Sequence, residues 1–474
     1  MSTHSKAAKQ FLADEARERW HDQALWFVRE KRDRMAHEVP EWEALRQYAG
    51  DTKAYTLTHL PEFLSKLEAQ CLANGIHVHW AKDADEHNSI VLEILRKSDA
   101  RNLVKSKSML AEECGLNEYL AEHGIDVAES DLGERIMQFL QKPPSHIVLP
   151  AINVKRQEVS DIFTQRLGSE PGNSDPTYLT GEARKALRQN FLNADASMTG
   201  VNFAVAETGE LVVCTNEGNA DMGTSFAPVH IAIMGLEKVI PDRDALAAYL
   251  RLLARSATGQ PITTYTSMYR KPLPGKEIHL VIVDNGRSKT LANTDHRQML
   301  RCMRCGACMN TCPVYRRTGG YSYSYFIPGP LGINLGMLKS PRKYAGNVSA
   351  CSLCYSCQCV CPVKIDLADQ IYKWRQQLDG YGLADGAKKM MVKGMKFAMK
   401  RPRLFYDAVA AARIAEKMPR FVLYNPLNVW GKTRDLPDFP SKTFNNLWKS
   451  GEVSGEKRAG TPKITTEQKK DNEQ

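Results

Sequence analysis

Nine of the 12 cysteines lie between Cys302 and Cys361, in two runs with the same spacing. The runs are Cys302-x2-Cys305-x2-Cys308-x3-Cys312 and Cys351-x2-Cys354-x2-Cys357-x3-Cys361, each followed by proline. In proteins with two [4Fe–4S] clusters, the fourth cysteine of each such run binds the cluster of the other run. The spacing therefore predicts two [4Fe–4S] clusters with crossed ligands, whose chemistry is the transfer of single electrons.

The crossed pattern defines two sets of ligands. Cluster 1 is predicted to be bound by Cys302, Cys305, Cys308 and Cys361, and cluster 2 by Cys351, Cys354, Cys357 and Cys312. Structural zinc is the alternative, but zinc ribbons use two separated pairs, whereas each run here has three cysteines within seven residues. Cys359 is given no role. The scattered Cys71, Cys114 and Cys214 are expected to be buried as small hydrophobic residues.

Two other segments could line an anion or substrate pocket. In the first, a strand ending near Lys105 runs into a helix, with Ser106 and Ser108 near the helix start. Free backbone amides at a helix start, together with lysine charge, attract a carboxylate or phosphate. An ordinary capped helix with solvated lysines is the simpler interpretation, and Glu112 and Glu113 are expected at its surface or as partners of its dipole.

In the second segment, Glu207 lies at a hairpin turn and Asn219 in the polar loop that follows the hairpin. Loops at sheet ends commonly carry binding sites, but Gly, Asn and Thr are also the ordinary residues of turns. His77 and His79 face one side of a strand, and with no evident third ligand they are expected to be a surface pair. The Gly-rich motifs of nicotinamide-binding and P-loop proteins are absent from the sequence.

Composition restricts the protein class. The 474 residues are 43% apolar and 25% charged, which is ordinary globular usage, and the net charge of +10 is a mild excess. The longest nearly apolar stretch, 226–236, is about half of what a bilayer requires. The first 20 residues mix charges of both signs and lack a signal-peptide pattern, so we expect a cytoplasmic protein.

Periodicity divides the chain into four parts. Residues 1–59 are predicted to be a helical segment, with Trp20, Ala24, Phe27 and Val28 on its packing face. Residues 60–290 alternate helices with short strands, which indicates a parallel or mixed sheet with helices on both faces. Its predicted elements include a helix over 109–123, a strand over 146–149 and a hairpin over 201–215. A cysteine-rich domain over 291–383 and a basic helical segment with a disordered tail over 384–474 complete the prediction.

The segment 388–403 has seven Lys or Arg and no acidic residue, interleaved with Met and Phe. It predicts a basic helix with one apolar side, suited to an acidic partner or to anionic lipids at the inner face of the membrane. The alternative is that the methionines pack on the ferredoxin domain. Nucleic acid is not expected as a partner, because recognisable binding motifs are absent.

Several segments together resemble the lactate-utilisation iron–sulfur protein B family. They are MTGVNFAVAETGELVVCTNEGN (198–219), KSKSMLAEECGL (105–116), DNGRS (284–288) and the two cysteine runs with their flanks (301–332 and 351–367). The resemblance covers about residues 60–385. It implies an α/β LUD domain with a NagB/RpiA-like sheet, fused to a mainly α-helical ferredoxin-type domain with two [4Fe–4S] clusters. Gly-Ala would be expected in place of Tyr355 and Ser356, so the surroundings of the second cluster depart from the pattern.

The resemblance implies an electron-transfer subunit of a cytoplasmic complex that oxidises L-lactate to pyruvate. Its expected partners are a cysteine-rich subunit and a second LUD-domain subunit, with a quinone or another carrier as electron acceptor. Two alternatives stay open: the substrate is glycolate or another 2-hydroxy acid, or the α/β domain is a transferase or ligase whose clusters are structural.

Overall fold

The computed structural model describes residues 3–383, 386–416 and 442–452. The chain divides into two compact units after Leu383. The first unit contains the sheets and both cysteine runs, and each unit is considered by itself.

Three helices form the N-terminal segment: α1 (Thr3–Leu12), α2 (Glu15–His37) and α3 (Trp42–Thr58). The predicted packing face of α2 is wrong at Phe27, which is 68% exposed, whereas Trp20, Ala24 and Val28 are half-buried. The buried face instead carries Leu25 and Ala36 together with polar residues such as His21 and Arg32. Apolar spacing misplaced this face because α2 packs largely through polar contacts; His21 Nδ1, for example, lies 2.7 Å from the Arg316 carbonyl oxygen.

A six-stranded, fully parallel sheet is the centre of the α/β domain. Its strands lie in the order β1-β10-β7-β4-β2-β3. In chain order they are β1 (His77–Ala81), β2 (Asn102–Lys105), β3 (Asp126–Glu129), β4 (Ala196–Gly200), β7 (Val229–Gly235) and β10 (Glu277–Val283). Every residue of β7 is buried and β10 is largely buried, as expected for central strands covered by helices on both faces.

A four-stranded sheet of order β8-β5-β6-β9 lies in the same domain. Its strands are β5 (Phe203–Val205), β6 (Glu210–Thr215), β8 (Val239–Ile240) and β9 (Tyr265–Tyr269). The antiparallel pair β5–β6 confirms the predicted hairpin. Strand β9 pairs with β6 and was not predicted.

The helices of this domain are α4 (Leu60–Ala73), α5 (Ala84–Lys97), α6 (Met109–Cys114), α7 (Leu116–Glu122), α8 (Leu132–Phe139), α9 (Arg156–Leu167), α10 (Pro176–Leu192), α11 (Asn219–Phe226) and α12 (Arg243–Thr258). The single helix predicted over 109–123 is two helices, because Gly115 has a φ of 63° and ends α6. The strand predicted over 146–149 is wrong. His146 Nδ1 accepts hydrogen bonds from the backbone N–H groups of Val148 and Leu149, at 3.0 Å each, and folds this segment into a turn.

Helices follow and connect the loops of the cysteine runs, as the mainly α-helical prediction for this part of the chain expects. They are α13 (Arg287–Ala292), α14 (Ala307–Asn310), α15 (Pro313–Thr318), α16 (Gly329–Lys339), α17 (Pro341–Ala350), α18 (Ser356–Val360) and α19 (Leu367–Gln377). Their apolar residues, among them Met309, Leu331 and Ile371, belong to a core that also includes Phe203 and Tyr249 of the α/β domain. The helical domain and the α/β domain therefore share one core.

The second unit contains α20 (Gly386–Met399), α21 (Pro402–Glu416) and α22 (Phe444–Lys449). Helix α20 covers most of the predicted basic segment, and Met390, Met391 and Met399 are each more than half exposed. The predicted disordered tail lies almost entirely outside the described residues. Within those residues, we find no helix with the length and apolar character that crossing a bilayer requires.

Candidate iron–sulfur and anion site

The two cysteine runs have the same backbone geometry. The N–H of Arg304 donates to Cys302 Sγ at 3.4 Å, and the N–H of Leu353 donates to Cys351 Sγ at 3.3 Å. Both donors occupy the left-handed region, with φ of 63° for Arg304 and 54° for Leu353. Each loop therefore turns around its first cysteine and directs an amide at the sulfur, which favours a thiolate.

The two loops differ at the next turn, where the first has a glycine and the second a tyrosine. Gly306 has a φ of 78° and Tyr355, at the matching place, a φ of 63°. A Cβ on Gly306 would lie 3.1 Å from both His146 Cε1 and Val148 Cγ2, so glycine is needed there. Tyr355 faces open space instead, where it is 40% exposed, and its hydroxyl donates to Asp369 Oδ1 at 2.9 Å.

The first predicted ligand set lines one cavity. Its walls include all four cysteines: Cys302, Cys305, Cys308 and Cys361. Leu331, Val363 and Leu367 provide apolar walls. Cys305, Cys308 and Cys361 are buried, and burial raises the pKa of Cys361 to about 11. Cys361 comes from the second run, so the fold brings together the crossed set that the spacing predicts.

The members of the second set are also neighbours. Burial, with smaller contributions from the nearby Cys351 and Cys354 thiols, raises the pKa of Cys312 to about 11. Cys357 is influenced in the same way by Cys312, Cys351 and Cys354. Cys312 and Cys357 are buried, whereas Cys354 is exposed. This set therefore reaches the protein surface, unlike the three buried cysteines of the first set.

These thiols can serve iron only after ionisation, because thiolates are the metal-binding form. Two backbone N–H groups favour that form at the fourth cysteines: Tyr315 N lies 3.5 Å from Cys312 Sγ, and Ile365 N lies 3.3 Å from Cys361 Sγ. In the described part of the chain, no three His, Cys, Asp or Glu side chains converge on a position for a single metal ion. The paired loops, the amide donors and the cysteine cavity fit a cluster whose cysteines bind different irons.

The four remaining cysteines differ in how far they are buried. Cys71 and Cys114 are buried, as predicted, and burial raises the pKa of each to about 12. Cys214, which was also expected to be buried, is only half-buried, because it lines a pocket of the α/β domain. Cys359 is exposed and does not line the cysteine cavity.

The pocket that Cys214 lines, here called the inner pocket, has a volume of about 290 Å³ and lies at the carboxyl ends of the parallel strands. Ser106 and Ser108 follow β2, Asp131 follows β3, and Lys238 follows β7. Parallel sheets commonly bind ligands at this edge. Cys305 lines both the inner pocket and the cysteine cavity, so the pocket borders the first ligand set.

Three of the five residues predicted for an anion pocket line the inner pocket: Ser106, Ser108 and Asn219. The Ser108 hydroxyl accepts from Ala111 N at 3.4 Å and caps α6, as the helix-start pattern predicted. The Asn219 side chain donates to Ser130 Oγ at 3.2 Å. Glu207 is placed elsewhere: it is exposed at the hairpin turn, and its backbone N–H donates to the Pro241 carbonyl.

Lys105 does not line the pocket either, because its side chain is fully buried. Its ammonium lies 2.8 Å from Glu129, 3.8 Å from Glu134 and 4.0 Å from Glu112. Burial opposes its charge, but these carboxylates prevail and raise its pKa. Glu112 is therefore a partner of a buried cation and not a surface residue, although it lies in the first turn of α6 as the dipole alternative expected.

The expectation of a surface position is also wrong for Glu113, which belongs to a network of ion pairs. It accepts from Arg287 Nη1 at 2.9 Å, while Arg287 Nε donates to Glu237 at 2.5 Å. Arg304, from the loop between Cys302 and Cys305, lies 3.9 Å from the other Glu237 oxygen. This ion-pair ladder runs from helix α6 to the first cysteine loop. Burial acts to raise the pKa of Glu237, but Arg287 and Arg304 hold it at about 2.

A second part of the inner pocket wall carries a lysine and two carboxylates. Lys107 Nζ lies 3.2 Å from Asp131 Oδ2 and 3.1 Å from the Val148 carbonyl oxygen. Glu217 accepts from Leu132 N at 2.9 Å. Desolvation and the nearby Asp131 carboxylate raise the pKa of Glu217 to about 7. This wall therefore offers donors, acceptors and a carboxyl group that titrates near neutrality.

A larger outer cleft of about 1090 Å³ adjoins the inner pocket. The two spaces share Glu113, Glu237, Arg287 and Arg304, which places the ladder between them. Aromatic residues, including Tyr325, line the outer cleft.

The histidine pair on β1 has a third member that the sequence did not indicate. His279 of β10 stacks on His77 with ring centroids 4.8 Å apart, and its Nδ1 lies 3.1 Å from His79 Nε2. Parallel pairing of β1 with β10 brings these residues together from distant parts of the chain.

Comparison with protein families assigns both domains. A LUD domain matches residues 64–290, and a 4Fe-4S dicluster domain matches residues 298–365. The chain is 39% identical to lactate utilization protein B of Oceanobacillus iheyensis over 438 residues, covering 90% of this chain and 91% of that protein. It belongs to the lactate utilization protein B family. Lactate utilization protein B of Bacillus pumilus is likewise 39% identical, over 89% of this chain and 91% of the relative.

A further relative is the uncharacterized electron transport protein YkgF of Escherichia coli, 38% identical over 90% of this chain and 92% of that protein. A solved structure, a DUF162 family protein from Deinococcus radiodurans, covers 47% of this chain and 98% of that chain, at 14% identity and a TM-score of 0.26. The family, the α/β and ferredoxin-type fold and the iron–sulfur character predicted from the sequence are thus confirmed.

Proposed function

We propose that this member of the lactate utilization protein B family is the electron-transfer subunit of a complex that oxidises L-lactate to pyruvate. One observation carries the proposal: Cys305, of the first ligand set, borders the inner pocket, whereas Cys354, of the second set, is exposed at the surface. An arrangement with one end at a small-molecule pocket and the other at the surface suits a relay between substrate and partner.

In this proposal, two [4Fe–4S] clusters are bound by the crossed sets: Cys302, Cys305, Cys308 and Cys361 for the first, and Cys351, Cys354, Cys357 and Cys312 for the second. Such clusters accept and donate one electron at a time. The chain supplies the thiolates, directs backbone amides at their sulfurs and encloses the first set with apolar residues. Polar contacts and burial of this kind tune reduction potentials.

Arginines from outside the cysteine runs fix the loop backbones. Arg46 of α3 donates to the Cys361 carbonyl oxygen at 2.8 Å and to the Cys359 carbonyl oxygen at 2.7 Å. Arg375 of α19 donates to the carbonyl oxygens of Val348 and Cys351. Both ligand sets are therefore held by contacts to distant elements, which limits their movement when charge is gained or lost.

The expected partners are a cysteine-rich subunit and a second LUD-domain subunit, with a quinone or another carrier as the acceptor. Helix α20 offers a surface for a membrane or an acidic partner. Met390, Met391 and Met399 are 73%, 59% and 62% exposed, among several lysines. Exposed apolar and basic residues on one helix suit anionic lipid headgroups, which supports peripheral contact with the inner face of the membrane.

The test is to purify the complex without oxygen and record EPR spectra before and after adding L-lactate, with glycolate as a competing substrate. We expect L-lactate to reduce the clusters. Cys305→Ser should remove the signal of one cluster and stop lactate-dependent reduction. Cys359→Ser should preserve both, because Cys359 is exposed and lines neither the cysteine cavity nor the inner pocket. If L-lactate still reduced the Cys305→Ser complex at the normal rate, or never reduced the unmodified complex, the proposal would be wrong.

A further inference from the structure

The inner pocket contains cationic groups without a full complement of partners. Lys238 lines the pocket, and its ammonium makes no hydrogen bond or ion pair within the described residues. Arg304 lies near Lys238 in the pocket wall, and its Nη1 is buried without a hydrogen-bond partner. Desolvated cations are costly unless an anion approaches them. This wall is therefore suited to an anionic ligand.

The charges of this wall indicate how many negative charges the ligand carries. Three cations, Arg287, Arg304 and Lys238, lie close to two carboxylates, Glu113 and Glu237. Arg287 is saturated by both carboxylates, with contacts of 2.9 Å and 2.5 Å. Among these five side chains, one positive charge is left over, which a single carboxylate would balance; the Cys302 thiol also lies near Lys238.

The second part of the pocket wall suits an additional oxygen on the ligand. Lys107 can donate and Asp131 can accept, and the two lie 3.2 Å apart. Asn219 and Ser108 add polar side chains at the carboxyl edge of the sheet. A hydroxyl group needs an acceptor and a keto oxygen needs a donor, and this wall provides both.

Size and apolar lining restrict the ligand further. The pocket volume of about 290 Å³ lies just below the roughly 300–1,000 Å³ typical of ligand sites. Val148, Val213, Ile233 and Leu253 contribute apolar surface. The pocket therefore suits a compact molecule with a short hydrocarbon part rather than a dinucleotide.

We infer that the inner pocket binds a short monocarboxylate with an oxygen on the adjacent carbon, a 2-hydroxy or 2-oxo acid. The carboxylate would meet Lys238 and Arg304, and the second oxygen would face Lys107 and Asp131. The choice of a carboxylate depends on the charges of the pocket, whereas the choice of a 2-oxygenated acid rests on the proposed function. The bound acid would lie beside Cys305.

The experiment measures binding, not turnover. The full chain with its clusters is titrated anaerobically with pyruvate and L-lactate, and with lactamide, which replaces the carboxylate by a neutral amide. We expect saturable binding of both acids and at least about tenfold weaker binding of lactamide, the value of one charge-assisted hydrogen bond. Lys238→Met should weaken pyruvate binding by about tenfold or more, and Lys238→Arg should restore most of it.

Lys289→Met is the matched control, because Lys289 is exposed and lines only the outer cleft. Pyruvate should also alter the EPR spectrum of one cluster only, since Cys305 borders the pocket and no cysteine of the second set does. Equal binding of lactamide and lactate, or equal losses in Lys238→Met and Lys289→Met, would overturn the inference. If the isolated chain binds pyruvate as expected but the complex is not reduced by lactate, the proposed function fails while the pocket assignment stands. If the complex is reduced by lactate and the isolated chain binds neither acid, the pocket assignment fails while the proposed function stands.

Discussion

Replacing Arg46 by methionine tests whether the N-terminal helices support the cysteine loops. Arg46 is 7% exposed and donates to the Cys361 carbonyl oxygen from Nε at 3.0 Å and from Nη2 at 2.8 Å. Nη2 also donates to the Cys359 carbonyl oxygen at 2.7 Å, in a partly buried position. A buried acceptor left unpaired costs about 1–3 kcal/mol. One fully and one partly buried carbonyl therefore give a loss of about 2–4 kcal/mol.

The loss should be local, because both carbonyls lie at the end of the second cysteine run. Native-state hydrogen exchange of the cluster-containing chain, read by mass spectrometry, reports the opening free energy of each segment. At 1.4 kcal/mol per factor of ten, the amides of 351–367 should exchange roughly 30- to 700-fold faster in Arg46→Met. Arg19→Met is the control, because among the residues that the structure describes Arg19 pairs only with Glu15, in an exposed position. Unchanged exchange over 351–367 would refute the supporting role of α3.

Two further predictions concern single residues. Tyr355→Gly should be more stable than Tyr355→Ala by about 1 kcal/mol. Both variants lose the Asp369 hydrogen bond, but only glycine relieves the strain of the left-handed φ of 63°. Thermal unfolding midpoints in the reverse order would contradict this prediction. Because the pKa of Glu217 is raised to about 7, its carboxyl group is neutral below that pH and repels anions above it. Pyruvate affinity should therefore fall several-fold between pH 6 and 8, and Glu217→Gln should flatten this dependence; an unchanged pH profile in Glu217→Gln would contradict the assignment.

The sequence predicted those features that depend on local spacing. The two cysteine runs, the helix start capped by Ser108 and the hairpin of β5 and β6 each depend on residues close together in the chain. Alternation of helices and apolar strands likewise predicted a parallel sheet. In these cases the backbone preference and the final contact involve the same few residues.

Features that depend on tertiary contacts could not be predicted in this way. Lys105 was assigned to an anion pocket, but three carboxylates from three other elements surround it. Lys238 was overlooked, because its position in the inner pocket follows from the register of β7 and from the docking of the cysteine loop that carries Arg304. His279 joins His77 only through the pairing of β1 with β10. A lysine among acidic residues gives the same sequence signal whether it pairs inside the protein or faces a ligand.

The N-terminal segment explains how the pocket and the cysteine loops keep their mutual position. It lies outside both matched domains, which begin at residues 64 and 298. Within this segment, Lys53 of α3 donates to the Glu237 carbonyl oxygen at 2.5 Å, next to Lys238 of the pocket wall. Two turns earlier on the same helix, Arg46 holds the Cys361 carbonyl oxygen. One rigid helix thus contacts both the wall that carries the unpaired cation and the loop that carries a cysteine of the first set. A chain truncated before the LUD domain would retain every predicted ligand but lose the element that joins them.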